Sequence, residues 1–261
     1  MGLDLGIEGR KAVVCGSSRG LGFACAQALA DQGVDVVLNA RTAGPLADAA
    51  SALIARIGRP VAFVAADVLE SSGRERLLAA CPEPDILITN AAGPAPGNFD
   101  DWGEAEWHAA LQANMVAPLQ LIRGTLGAMR RRRWGRILNI TSAAVKAPLP
   151  MLGLSTGARS GLTGAVASLA REAAADGVTI NNLLPGHFDT DRLTGYFASL
   201  AARLGCSPEE ARRQTEAANP TRRVGRPAEF GAFCAFLASE HGGYINGQNL
   251  LLDGGAFPGV F

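Results

Sequence analysis

The stretch Lys11-Ala12-Val13-Val14-Cys15-Gly16-Ser17-Ser18-Arg19-Gly20-Leu21-Gly22 decides the fold. A short, β-branched apolar run ends in a glycine-rich turn, and Leu21–Ala30 beyond it reads as a helix. Glycines in such a turn let the chain reverse sharply and let backbone approach a pyrophosphate, which the next helix N-terminus stabilises. Strand, turn and helix in that order open a nucleotide-binding βαβ unit.

Outward from this unit the chain keeps alternating. The pattern predicts strands at Val34–Leu38, Val61–Ala65, Asp85–Thr89, Arg136–Thr141, Val178–Leu184 and Asn249–Leu252. Between them it predicts helices at Gly44–Ile57, Glu70–Ala80, about Ala105–Arg131, about Leu152–Ala175 and Pro227–Ser239. Short β-branched runs separated by helices imply βαβ units with right-handed crossovers. The expected fold is therefore α/β: a single-domain, Rossmann-type, doubly wound parallel sheet with helices on both faces, spanning residues 1–261.

Composition narrows the function. Of 261 residues 48% are hydrophobic and 18% charged, which excludes a disordered chain. Lys plus Arg equals Asp plus Glu at 24 each, which argues against a nucleic-acid partner. The run Arg130-Arg131-Arg132-Arg133 ends the longest helix, where cations meet the macrodipole favourably. No apolar run is long enough to cross a bilayer, and the N-terminus lacks the basic and apolar parts of a secretory leader. The cysteines at 15, 25, 81, 206 and 234 form no CxxC pair. These features predict a cytoplasmic protein with reduced thiols, no membrane partner and no metal site.

The G-x-x-x-G-x-G spacing of Gly16, Gly20 and Gly22 resembles the short-chain dehydrogenase/reductase superfamily. The likeness continues through Asp67-Val68, Asn90-Ala91-Ala92-Gly93, Asn114 in the long helix, Ser142 at the end of the fifth strand, and Pro185-Gly186 with Thr190. The tail, Ile245-Asn246-Gly247-Gln248-Asn249 with Leu252-Asp253-Gly254-Gly255, is similar to the 3-oxoacyl-[acyl-carrier-protein] reductase branch. The resemblance implies a nucleotide cofactor held by Gly16, Ser17, Ser18, Arg19, Gly20, Leu21, Gly22, Arg41, Asp67, Val68, Asn90, Ala91, Ala92, Arg159, Pro185, Gly186, Phe188 and Thr190. It also implies a small-molecule carbonyl or alcohol substrate, with acyl thioesters among the candidates, and a homodimer or homotetramer paired through the two long helices.

The second strand chooses the cofactor. An acid at its end would bond a ribose 2′-hydroxyl and repel a 2′-phosphate. Here the strand ends Asn39-Ala40-Arg41, and Arg41 and Arg19 suit a phosphate, so NADP(H) is expected.

The catalytic end departs from the pattern. The family places a Tyr about a dozen residues after the Ser and a Lys four further on; counting from Ser142, those positions fall on Ser155 and Arg159. No shift of register rescues them, because the only tyrosines are Tyr196 and Tyr244. Arg159 can still hold ribose hydroxyls but stays charged, so it cannot relay a proton as Lys does. Candidate catalytic residues are Ser142, Asn114, Ser155, Arg159 and Lys146, the last on the loop leaving the fifth strand. A desolvated Lys can lose its proton near neutrality. His187 and Tyr196 are secondary proton sources that a packed loop or a lid contact explains as well. Trp102 and Trp107, near the start of the long helix, read as packing anchors. Three functions stay open: an oxidoreductase with an altered proton donor, a non-redox dehydratase, cyclase or lyase, and a silent NADP-binding regulator.

Overall fold

The computed structural model describes residues 3–260. Seven parallel strands form one sheet in the order β3-β2-β1-β4-β5-β6-β7. They are β1 (Lys11–Cys15), β2 (Asp35–Ala40), β3 (Ala62–Ala65), β4 (Ile86–Thr89), β5 (Gly135–Ile140), β6 (Val178–Pro185) and β7 (Asn249–Leu252). The helices are α1 (Gly20–Asp31), α2 (Ala43–Ile57), α3 (Ser71–Ala80), α4 (Glu104–Leu111), α5 (Ala117–Arg132), α6 (Gly153–Ala174), α7 (Asp191–Leu204), α8 (Pro208–Ala218) and α9 (Pro227–Leu237). Each parallel neighbour requires a crossover, and helices fill those crossovers on both faces, as the alternating pattern predicts.

One face of the sheet buries Leu29, Leu46, Leu53 and Phe230 from α1, α2 and α9. The other buries Leu77, Leu121, Ile122, Met129 and Leu162 from α3, α5 and α6. Strands covered on both faces read as continuous apolar runs, which is why β1 and β4 were legible. Trp102 and Trp107 meet edge to face at 6.1 Å and pack with Leu154 and Ala158.

The strand ends carry a polar ladder in register. Thr89 Oγ1 donates to Asn139 Oδ1 at 2.7 Å, Asn139 Nδ2 to Asn182 Oδ1 at 3.0 Å, and Asn182 Nδ2 to Asn249 Oδ1 at 2.8 Å. Buried amides that satisfy one another fix the register of β4 through β7.

Two differences from the sequence reading bear on function. The expected helix at 105–131 is interrupted by a π-helical turn at Gln112–Val116 that contains Asn114. Such bulges mark functional positions and leave no signature in hydrophobic periodicity. The segment after Thr190 forms α7 and α8, which were not expected; α7 buries only Leu193, Phe197 and Ala201. The four arginines at 130–133 have partners in the chain itself: Arg130 meets Asp176, Arg131 and Arg132 meet Glu83, and Arg133 donates to Ala175 O. No helix among the described residues is long and apolar enough to cross a membrane.

Candidate active site

The glycine-rich turn lies at the carboxyl end of β1, between β2 and β4. Gly16 and Gly20 have φ of 59° and 60°, a region that favours glycine. A Cβ on Gly22 would lie 2.2 Å from Gly16 O, and one on Gly16 would lie 2.6 Å from Asn90 Nδ2. Asn90 Nδ2 donates to Gly16 O at 3.2 Å and so ties the turn to β4. Ser17 is buried; its hydroxyl donates to Val14 O at 2.7 Å and accepts from Asn39 N at 2.9 Å. Ser18 is half-buried, Leu21 packs on the core, and Arg19 is exposed and pairs with Asp191 at 3.1 Å.

At the end of β2 there is no acid. Asn39 is buried, donating through Nδ2 to Val64 O and Ala66 O at 3.0 Å each. Arg41 is exposed and makes no ion pair among the described residues. Asp67 Oδ1 accepts from Leu69 N at 3.0 Å, beside the half-buried Val68. Ala91 O accepts from Arg159, and Ala92 is exposed. On the other wall, Pro185 and Gly186 lead to Phe188, whose ring is buried against Phe230 at 5.3 Å, so that its main chain alone is left to face a nucleotide. Thr190 caps α7 and its methyl would lie 3.6 Å from a Cβ on Gly20. The turn, Arg41, Asp67, Asn90 and Thr190 thus outline one groove across the strand ends, the place where doubly wound sheets bind nucleotides.

The catalytic candidates gather beside this groove. Ser142 lies two residues beyond β5 and caps the 3₁₀ turn that follows; it is half-buried, and its Oγ accepts from Ala144 N at 3.2 Å. Ser155 and Arg159 lie one turn apart on α6, and both are buried. Arg159 donates from Nε to Ser155 Oγ at 3.2 Å, from Nη1 to Ile140 O and Thr141 O at 2.9 Å each, and from Nη2 to Ala91 O at 3.4 Å. All four acceptors are neutral. Burial first, and then the charge of Arg192, pulls the Arg159 pKa down from 12.5 to about 10. Asn114 Nδ2 donates to Ala110 O at 3.3 Å, whereas its Oδ1 is buried without a partner. A cavity of about 10 Å³, the space of about one water, lies between Thr89, Asn90, Asn114, Ile140 and Arg159.

Lys146 follows a 3₁₀ turn at Ala143–Val145, half-buried, its side chain free of partners among the described residues. His187 stacks on Tyr196 at 5.3 Å, and burial pulls its pKa below 6.5. The neutral imidazole therefore prevails at neutral pH. Tyr196 and Tyr244 are both exposed.

Chemically, the groove offers a close backbone approach for phosphates, an arginine at the end of β2, and hydroxyls at 142 and 155. Ser155 accepts from the guanidinium and keeps its own O–H to donate. Sequence reasoning missed Arg192, which enters the groove from α7. Nothing in periodicity marks a side chain whose importance lies in what it reaches across the fold.

The groove and the fold that carries it have counterparts in known proteins. Residues 16–256 match the family model described as Enoyl-(Acyl carrier protein) reductase. The chain is 30% identical over 256 residues to NADPH-dependent reductase BacG of Bacillus subtilis (strain 168), covering 96% of this chain and 99% of that one. It is 31% identical over 257 residues to 3-oxoacyl-[acyl-carrier-protein] reductase FabG of Vibrio cholerae, covering 97% and 99%. The structure of L-sorbose reductase from Gluconobacter frateurii complexed with NADPH and L-sorbose superposes with a TM-score of 0.93 at 28% identity, covering 99% and 100%.

Proposed function

This chain belongs to the short-chain dehydrogenase/reductase superfamily, and we propose that it is an NADP(H)-dependent reductase of a small carbonyl substrate in which Ser155 and Arg159 replace the family's Tyr and Lys. The observation that carries this reading is the buried contact from Arg159 Nε to Ser155 Oγ, with Ser142 just beyond the adjoining strand end. The groove fits the cofactor. Gly16 and Gly22 leave backbone bare where a Cβ would collide, β2 ends without an acid, and Arg41, without an ion-pair partner among the described residues, is exposed for a 2′-phosphate. An NADPH-dependent reductase matching over 96% of the chain, and a reductase solved with NADPH matching over 99%, support the same choice.

The nicotinamide, when bound, supplies the hydride; the remaining work falls to the chain. Ser142 donates to the substrate oxygen. Arg159 has one N–H, on Nη2, left for a ribose hydroxyl, and it adds positive potential where negative charge develops on that oxygen. Ser155 is too short to reach a carbonyl placed for a phenol, and instead orients a water with its free O–H. Lys146, half-buried and without a side-chain partner among the described residues, delivers the proton. Copies of the chain pair through α6, where Gly157, Ser160, Gly164 and Ala167 expose small side chains along one helical stripe.

The test is NADPH oxidation by the purified protein across ketones, aldehydes and acyl thioesters, with Lys146→Ala alongside. At least one carbonyl should be reduced. Lys146→Ala should lower turnover by about 10²-fold, the low end for loss of a general acid, while NADPH affinity holds. No oxidation with any carbonyl would reject the reductase; unchanged turnover in Lys146→Ala would reject that proton source.

A further inference from the structure

Asp191 and Arg192, consecutive at the start of α7, reach opposite walls of the groove. Asp191 pairs with Arg19 on the glycine-rich turn at 3.1 Å. Arg192 reaches Gly93 on the loop after β4: a Cβ there would lie 2.8 Å from Arg192 Nη2, 3.2 Å from its Nη1, and 3.5 Å from Arg159 Nη2. Two guanidiniums therefore converge on a single glycine.

Neither has a counter-charge among the described residues. Arg159 bonds only carbonyl oxygens and a hydroxyl. Arg192 makes no hydrogen bond or ion pair among the described residues. The nearby acids are engaged elsewhere, Asp191 with Arg19 and Asp189 with Arg212. Arg192 is exposed, so solvent screens much of the repulsion, yet its charge still adds to burial in lowering the pKa of Arg159. An anion placed between them reverses the sign of that interaction, and a guanidinium meets two oxygens of one anionic group at once. Gly93, having no side chain, is what lets the Arg192 guanidinium lie this close to the loop.

The location says which molecule carries the anion. A cofactor pyrophosphate is served by the glycine-rich turn and the α1 N-terminus on the other wall. The arginine pair lies at the reacting end: Arg159 also touches Ser155 and the end of β5, which leads directly into Ser142. Resting on the reductase reading, we propose that Arg192, with Arg159 behind it, receives a carboxylate of the substrate and selects oxo acids whose carboxylate lies within a few bonds of the reacting carbonyl. Neutral esters and thioesters of the same acids are then poor substrates.

The experiment compares 2-oxobutanoate with its methyl ester, in the parent protein and in Arg192→Gln and Arg192→Lys. The parent should prefer the acid by at least about tenfold in kcat/KM. Arg192→Gln should lower kcat/KM for the acid far more than for the ester, chiefly through KM, and Arg192→Lys should recover part of it. NADPH affinity, read by fluorescence quenching, should change less than twofold. Calorimetric titration of 2-hydroxybutanoate into the NADP⁺ complex should show binding that Arg192→Gln abolishes. That binding readout does not depend on turnover, so the carboxylate site stands if it is seen even where no carbonyl is reduced. Equal use of acid and ester overturns the proposal. So does weakened NADPH in Arg192→Gln with the acid preference intact, because it assigns the anion to the cofactor.

Discussion

Replacing Arg159 by Met asks whether a buried guanidinium serves stability or function. The side chain carries its charge against the preference of its surroundings, since burial takes its pKa from 12.5 to about 10. That depression corresponds to a penalty of about 3 kcal/mol on the charged form, which Arg159→Met removes. The substitution also strips Ile140 O and Thr141 O of donors now 2.9 Å away, at about 1–3 kcal/mol each. The opposing quantities nearly balance, leaving a net loss of at most about 3 kcal/mol. For a chain of this size that lowers Tm by no more than about 12 °C. Affinity for NADPH should fall by at least about tenfold, as expected for loss of a charged hydrogen-bond donor. Arg159→Lys should recover part of the affinity, keeping the charge while reaching fewer carbonyls. Thermal denaturation and calorimetry on the three proteins decide. Undiminished NADPH binding in a folded Arg159→Met would refute the functional role, and a protein that no longer folds would make Arg159 a structural keystone.

Arg41→Ala should weaken NADPH by about 1.5 kcal/mol or more, roughly tenfold, and leave NADH within about twofold by calorimetry; equal weakening of both would remove Arg41 from the 2′-phosphate. Gly22→Ala sets a Cβ 2.2 Å from Gly16 O, a backbone atom that cannot swing aside. It should cost about 1–3 kcal/mol, seen as a lower Tm together with weaker NADPH binding, and an unchanged Tm would show that the turn yields freely. His187 gives a pH signature. Its pKa is depressed in the native state by burial, so its contribution is whole above pH 6.5 and is lost as pH falls through the native value. Denaturant unfolding at pH 7.5 and pH 5.0 should therefore show a larger acid loss in the parent than in His187→Gln, and identical losses would contradict it.

The doubly wound sheet was legible because its signals are local. Runs such as Ala12–Cys15 and Ile86–Thr89 are apolar throughout since both faces are covered, and the glycines of the first turn are required by backbone geometry alone. The resemblance to the family singled out Ser142, Ser155 and Arg159, and helical spacing placed the latter two on one face. Other features depended on the third dimension. The π-helical turn at Asn114 leaves the composition of the long helix unchanged, and its unpaired Oδ1 exists only because the surroundings close over it. The burial of Ser17 and Phe188, residues expected to line the groove, was equally hidden, because a serine or phenylalanine in a loop can face either way. Arg192 is the clearest case. Its sequence neighbours show only the opening of a helix, and it matters because chain folding brings it to Gly93 and Arg159. Periodicity reports which side of its own element a residue occupies; the charges and cavities it meets belong to elements distant in sequence, and only tertiary packing sets those distances.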